Sequence, residues 1–165
     1  MMMFAIGTVP LINAVKTDGT TQAWFADDAA SGGRLRRLLR WWNALLVNGP
    51  AYGYYPNAVK TVLLVKPEML DEAVEVFEGT EIQITVEGVV YLGGALGNDK
   101  FVESAMAEKV QQWVGEVNRL ASFAKAQPHA AFAAFTHGLV GKWTYGIRVS
   151  TICEDKVLRP LEDAI

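Results

Sequence analysis

The chain has 165 residues, half of them apolar, with 15 Lys or Arg against 18 Asp or Glu and a formal net charge of -3. That length suits one ordinary domain or two small lobes sharing a core, and aromatic residues spread along the whole chain exclude a disordered class. No stretch reaches the roughly 18 uninterrupted apolar residues of a membrane span, so no membrane partner is expected.

The charge is uneven: residues 1–66 sum to +4, residues 67–118 to -9 and residues 119–165 to +2. A basic face is therefore compatible with the acidic total. Cys153 is the single cysteine, which excludes an intrachain disulfide, reads as a structural thiol and suits an intracellular setting, cytoplasm or nucleus.

Residues 1–15 read as an apolar helix interrupted at Pro10. They resemble a signal peptide only in apolarity, for they lack a basic leader and a small-residue cleavage pattern. After a turn at Asp18-Gly19, Thr21 to Phe25 is aromatic and β-prone, Ala26-Asp27-Asp28 makes a tight connection, and Ala29 to Ser31 returns antiparallel. From Arg34 to Val47, apolar residues recur at Leu35, Leu38, Leu39, Trp42, Leu45 and Leu46, the spacing of one buried helical stripe. Of the pair Trp41-Trp42, one is expected in the core and the other on its flank. Asn48-Gly49-Pro50 ends this helix, and a loop over Tyr52 to Asn57 leads into a buried strand at Thr61 to Val65.

Pro67 opens a second amphipathic helix, with Leu70, Val74 and Phe77 inward and acids outward. Ile82 to Val86 and Val89 to Leu92 read as a second hairpin turning at Glu87-Gly88. Asn98 caps a long helix through Met106, Val110, Trp113 and Val117. Gln127-Pro128 breaks it, and a further helix over Ala130 to Leu139, punctuated by Gly138 and Gly141, precedes a helical tail to Ile165. This order predicts an α+β chain: an antiparallel sheet packed on helices, followed by helices alone.

Two-metal phosphoryl transfer requires carboxylates so close that divalent cations must relieve their repulsion, and hard oxygen ligands favour Mg²⁺. Adjacent aspartates at a hairpin tip satisfy this, although Asp-Asp pairs are also common at solvated turns. The order of the surrounding segments carries more weight. Phe25-Ala26-Asp27-Asp28 resembles the aromatic-x-Asp-Asp motif of reverse transcriptases, and Gly53-Tyr54-Tyr55-Pro56-Asn57-Ala58-Val59-Lys60-Thr61 is similar to that family's next palm segment. Tyr91-Leu92-Gly93, followed by Gly97, resembles the hairpin that grips the primer strand in retroelement polymerases. Gln127 to Phe132, with His137-Gly138-Leu139 and Lys142 to Tyr145, is similar to the region after the palm in cellular copies of retrotransposon polymerases.

The resemblance implies an antiparallel palm-type sheet in a partial palm subdomain over residues 1–97 and an all-helical thumb-like region over 98–165. It implies two-Mg²⁺ nucleotidyl transfer on an RNA template and DNA primer with a dNTP. Asp27 would be the principal metal ligand and Asp28 its supporting neighbour. Lys60 would approach the triphosphate and protonate pyrophosphate, or else be a solvated lysine at a strand start. Tyr91, Leu92 and Gly93 would hold the primer backbone, or form a plain structural hairpin. Arg34, Arg36, Arg37 and Arg40 are candidate phosphate contacts, or a solvated helix face. His129 and His137 lack a ligand partner at metal spacing and read as structural.

The sequence departs from the family upstream, where Asp18 is the only acid before Asp27 and no Gln-Gly-Pro-like nucleotide-pocket segment appears. The resemblance then implies a polymerase fragment inactive alone, with weak Mg²⁺ binding and an exposed sheet edge that invites self-association. The alternative is a non-catalytic retroelement-derived remnant acting as a binding or interaction module. A third reading, an unrelated Mg²⁺-dependent phosphohydrolase, has no nucleophile motif behind it.

Overall fold

In the computed structural model, residues 2–150 and 155–165 are described, so the Cys153 thiol lies outside the described residues. The chain is mixed α and β, with small antiparallel ribbons and a helical C-terminal region. It divides into two compact units, Met1–Ile84 and Thr85–Ile165. The boundary falls inside the hairpin expected over Ile82 to Leu92.

In the first unit, helix α1 (Met2–Ala14) contains Pro10, and Leu11 and Val15 at its end are fully buried. Strands β1 (Thr20–Phe25) and β2 (Asp28–Gly33) pair antiparallel from Thr20↔Gly33 to Phe25↔Asp28. The predicted first hairpin is present, with both strands longer than the sequence indicates. Trp24 and Ala29 on its inner face pack against the core.

Helix α2 (Leu35–Asn48) buries Leu35, Trp41, Trp42 and Leu45. Two expectations are corrected here: both tryptophans are core residues, 7% and 5% exposed, and Leu46 is 43% exposed. The physical reason is that α2 has neighbours on several sides, α1, β2 and the following helix α3 (Leu70–Val76), so its buried arc is rotated toward Trp41 and Leu45. Gly49 begins a 3-10 turn over Gly49–Tyr52, and the left-handed residue that ends it is Gly53 at φ 73°. A Cβ on Gly49 would sit 2.5 Å from the Tyr54 carbonyl oxygen, so glycine serves close approach there.

A short 3-10 turn, Ala58–Lys60, leads into β3 (Val62–Leu64). A second, Pro67–Met69, precedes α3, which buries Ala73. Phe77 is buried as expected, but Val74, predicted to face inward, is 55% exposed. The helix spans only seven residues and places Ala73 in the core instead. Strand β4 (Gln83–Thr85) pairs with β3, and the Gln83 N–H donates to the Thr61 carbonyl at 3.0 Å.

That pairing overturns the predicted Ile82–Val86/Val89–Leu92 hairpin. In the second unit, β5 (Gly88–Tyr91) pairs with β6 (Gly94–Gly97) around Leu92-Gly93, not with β4 around Glu87-Gly88. The Asn98 N–H donates to the Glu87 carbonyl at 2.8 Å and closes the base of this ribbon. Among the described residues the strands make three two-stranded ribbons rather than one sheet.

Helix α4 (Asp99–Ala124) begins as expected at Asn98, whose side-chain oxygen accepts from the Phe101 N–H at 2.8 Å. Its stripe of Val102, Met106, Val110, Trp113 and Val117 is buried. Helices α5 (Pro128–Ala134) and α6 (Val140–Arg148) are joined by a π-helical turn, Phe135–Leu139, so Gly138 and Gly141 do not break the helix as predicted. Trp143 and, from helix α7 (Asp155–Glu162), Leu161 complete this core against α4. Trp113 packs so tightly on Gly146 that an added Cβ would lie 2.7 Å from its ring. Among the described residues no helix is long and apolar enough to cross a membrane.

Candidate active site

The acidic pair sits at the tip of the first ribbon. Phe25 faces Asp28 across the register, which leaves Ala26 and Asp27 as a two-residue connection. Ala26 has φ 52° while Asp27 is not left-handed, the pattern of a type II′ turn, whose first central position favours glycine. A primed turn suits the twist of a β-ribbon, and an alanine at its first central position is strained. Both aspartates are exposed, and among the described residues no hydrogen bond or ion pair engages either carboxylate.

The strain gives a direct test of the turn. Replacing Ala26 with glycine relieves a left-handed penalty of about 1–2 kcal/mol and adds unfolded-chain entropy of about 0.4–1 kcal/mol. The expected net effect is a stabilisation of about 0.5–1 kcal/mol, read as a higher urea midpoint. A lower midpoint would mean that the turn is not strained.

The next segment is fastened to this tip. The Tyr54 hydroxyl donates to the Asp27 backbone carbonyl at 3.0 Å, and the Tyr54 ring meets Trp24 edge-on with centroids 5.5 Å apart. Downstream, Asn57 caps the turn that carries Lys60: its side-chain oxygen accepts from the Lys60 N–H at 3.2 Å, and its carbonyl accepts from the Thr61 hydroxyl at 2.7 Å. Gln83 Nε2 donates to the Val59 carbonyl at 2.7 Å and pins the same turn to the base of β4. Lys60 thus occupies the 3-10 turn immediately before β3, with its side chain exposed.

Tyr54 ties this loop to the ribbon tip, a link that sequence reasoning passed over. Its signal was an aromatic hydroxyl in a Gly- and Pro-rich loop, where no apolar periodicity accounts for it. Arg37 also has a role that the helical pattern hides. Its guanidinium lies over the Gly19 turn, where a Cβ would be 1.5 Å from Nη1, and Gly19 has φ 72°. Arg34 precedes α2, and Arg36 and Arg40 line a groove between α2 and α3.

In the second unit, Tyr91, Leu92 and Gly93 lie at the tip of the β5–β6 ribbon. Leu92 at φ 47° and Gly93 at φ 77° form a type I′ turn with leucine where asparagine is usual. Two side chains clamp the turn: Lys109 Nζ donates to the Gly93 carbonyl and the Tyr145 hydroxyl donates to the Leu92 carbonyl. Ala26 and Leu92 are the non-glycine left-handed residues among those described, and both lie at the tips that sequence motifs single out.

Among the described residues no third Asp, Glu, His or Cys joins the acidic pair in a metal-holding group. Asp27 and Asp28 by themselves offer two exposed carboxylates, fewer than the full set of oxygen ligands that Mg²⁺ takes. No family model matches the chain, and no curated protein or solved structure matches it.

Proposed function

We propose that the chain is a fragment of an RNA-directed DNA polymerase of retroelement origin, carrying the metal-binding hairpin of a palm-type sheet and a thumb-like helical region. The observation that supports this reading best is the Asp27-Asp28 pair at a strained two-residue hairpin tip, bonded through Tyr54 to the segment that carries Lys60. Bound Mg²⁺ would activate the attacking hydroxyl and neutralise charge on the transferring phosphate. Asp27 and Asp28 would supply two of its anionic ligands, Lys60 would meet the triphosphate, and the Leu92-Gly93 tip would hold the primer backbone. The carboxylate pair needs a third anionic partner, so the chain is inactive by itself and works inside a cell only when that partner is supplied.

Primer extension on an RNA template tests the proposal, first with the chain alone and then with a separate polypeptide carrying a palm strand with its aspartate and nucleotide pocket. Extension is expected only in the complemented mixture. Absence of extension in both overturns the polymerase reading in favour of a folded remnant that acts as an interaction module. Phosphate release from small phosphoesters without template would instead mark a phosphohydrolase.

A further inference from the structure

We propose that the groove between α2 and α3 is a docking surface for a second copy of this chain, with the basic wall of each copy against the acidic wall of the other. The groove is about 560 Å³ in volume; α2 contributes Arg36, Leu39 and Arg40, and α3 contributes Glu75 and Val76. Arg36 and Arg40 are one helical turn apart and both are exposed. Among the described residues neither guanidinium has a carboxylate within 4.0 Å, so the groove holds two cations and one anion with no ion pair across it.

The sequence makes the two walls opposite in sign. Helix α2 contains three arginines and no acid, whereas residues 67–78 contain five acids and no base. A surface with one basic and one acidic wall flanking an apolar floor is complementary to itself. A two-fold axis through the groove sets Arg36 and Arg40 of each copy opposite the partner's Glu75, and it closes after two copies rather than propagating. Leu39 and Val76, both half-buried in the single chain, lose their remaining exposure in the pair. The acids on and beside α3 repel a phosphodiester backbone, which argues for a protein occupant over a nucleic acid. This inference stands on the groove alone and does not rest on the polymerase reading.

Sedimentation velocity over a concentration series on the intact chain tests it, with Arg40→Glu, Glu75→Arg and their equimolar mixture. Wild type is expected to dimerise. Each substitution alone sets like charges across both contacts and weakens the dimer by at least about tenfold, while the mixture restores opposite charges at both contacts and recovers it. Both positions are exposed, so circular dichroism verifies that the fold is kept. A wild-type monomer at every concentration overturns the proposal, as does a dimer indifferent to the substitutions. A single-stranded oligonucleotide bound by the monomer, weakened by Arg40→Glu and strengthened by Glu75→Arg, also overturns it and marks the groove as a phosphate site.

Discussion

Trp113→Ala is expected to destabilise the second unit by about 3–5 kcal/mol, the range for removing a large buried aromatic. Trp113 is 3% exposed, at the centre of the α4 stripe, and its ring lies against Gly146 of α6. Met106, Val110, Val117, Trp143 and Leu161 share the same core, so the vacated volume has several walls and no single neighbour to fill it. A small domain is stable by about 5–15 kcal/mol, so this one change removes a large share of the margin. Urea unfolding followed by helical circular dichroism measures it. A loss below about 1 kcal/mol would show that α4 and α6 are not held through this ring.

Asp27→Asn has the opposite profile, with no structural effect and a large functional one. The side chain is exposed and takes no part in the hydrogen bond that Tyr54 makes to the Asp27 backbone, so stability should change by less than about 0.5 kcal/mol. In the complemented primer-extension mixture the same change removes the charge that would hold Mg²⁺. It is expected to lower the rate by about 10²–10³-fold, with Asp28→Asn costing less. Equal rates for wild type and Asp27→Asn would remove the acidic pair from any catalytic role.

The fold was legible where a single element decides its own burial. The α4 stripe and its Asn98 cap follow from spacing and one side-chain hydrogen bond, and the first hairpin follows from a short aromatic run before Ala26-Asp27-Asp28, although Asp28 pairs with Phe25 inside β2 and the connection is one residue shorter than expected. Choices between partners were not legible. Ile82 to Val86 alternates equally well whether it pairs with Val89 to Leu92 or with the distant β3, and the outcome rests on contacts such as Gln83 with Thr61 and Val59 that no local period encodes. Trp41 and Leu46 exchanged expected environments because α2 is enclosed from several directions, whereas a one-stripe pattern assumes a single neighbour. At the candidate site, the acidic turn was readable from residue type. The Tyr54 bond to Asp27 joins positions 27 residues apart, and the Lys109 and Tyr145 clamps on the second tip reach across 16 and 53. Sequence spacing carries no trace of such links.

The π-helical turn at Phe135–Leu139 sets the rotational phase of α6 relative to α5. Ala131 and Trp143 are twelve positions apart and both are buried. In an uninterrupted α-helix, at about 100° per residue, they would diverge by about 120° around the axis. Taking up one extra residue in a wider coil brings them to within about 20° of each other. The wider turn acts as a phase correction: it lets one rod, read through Gly138 and Gly141 without stopping, present a single side to α4 along its length.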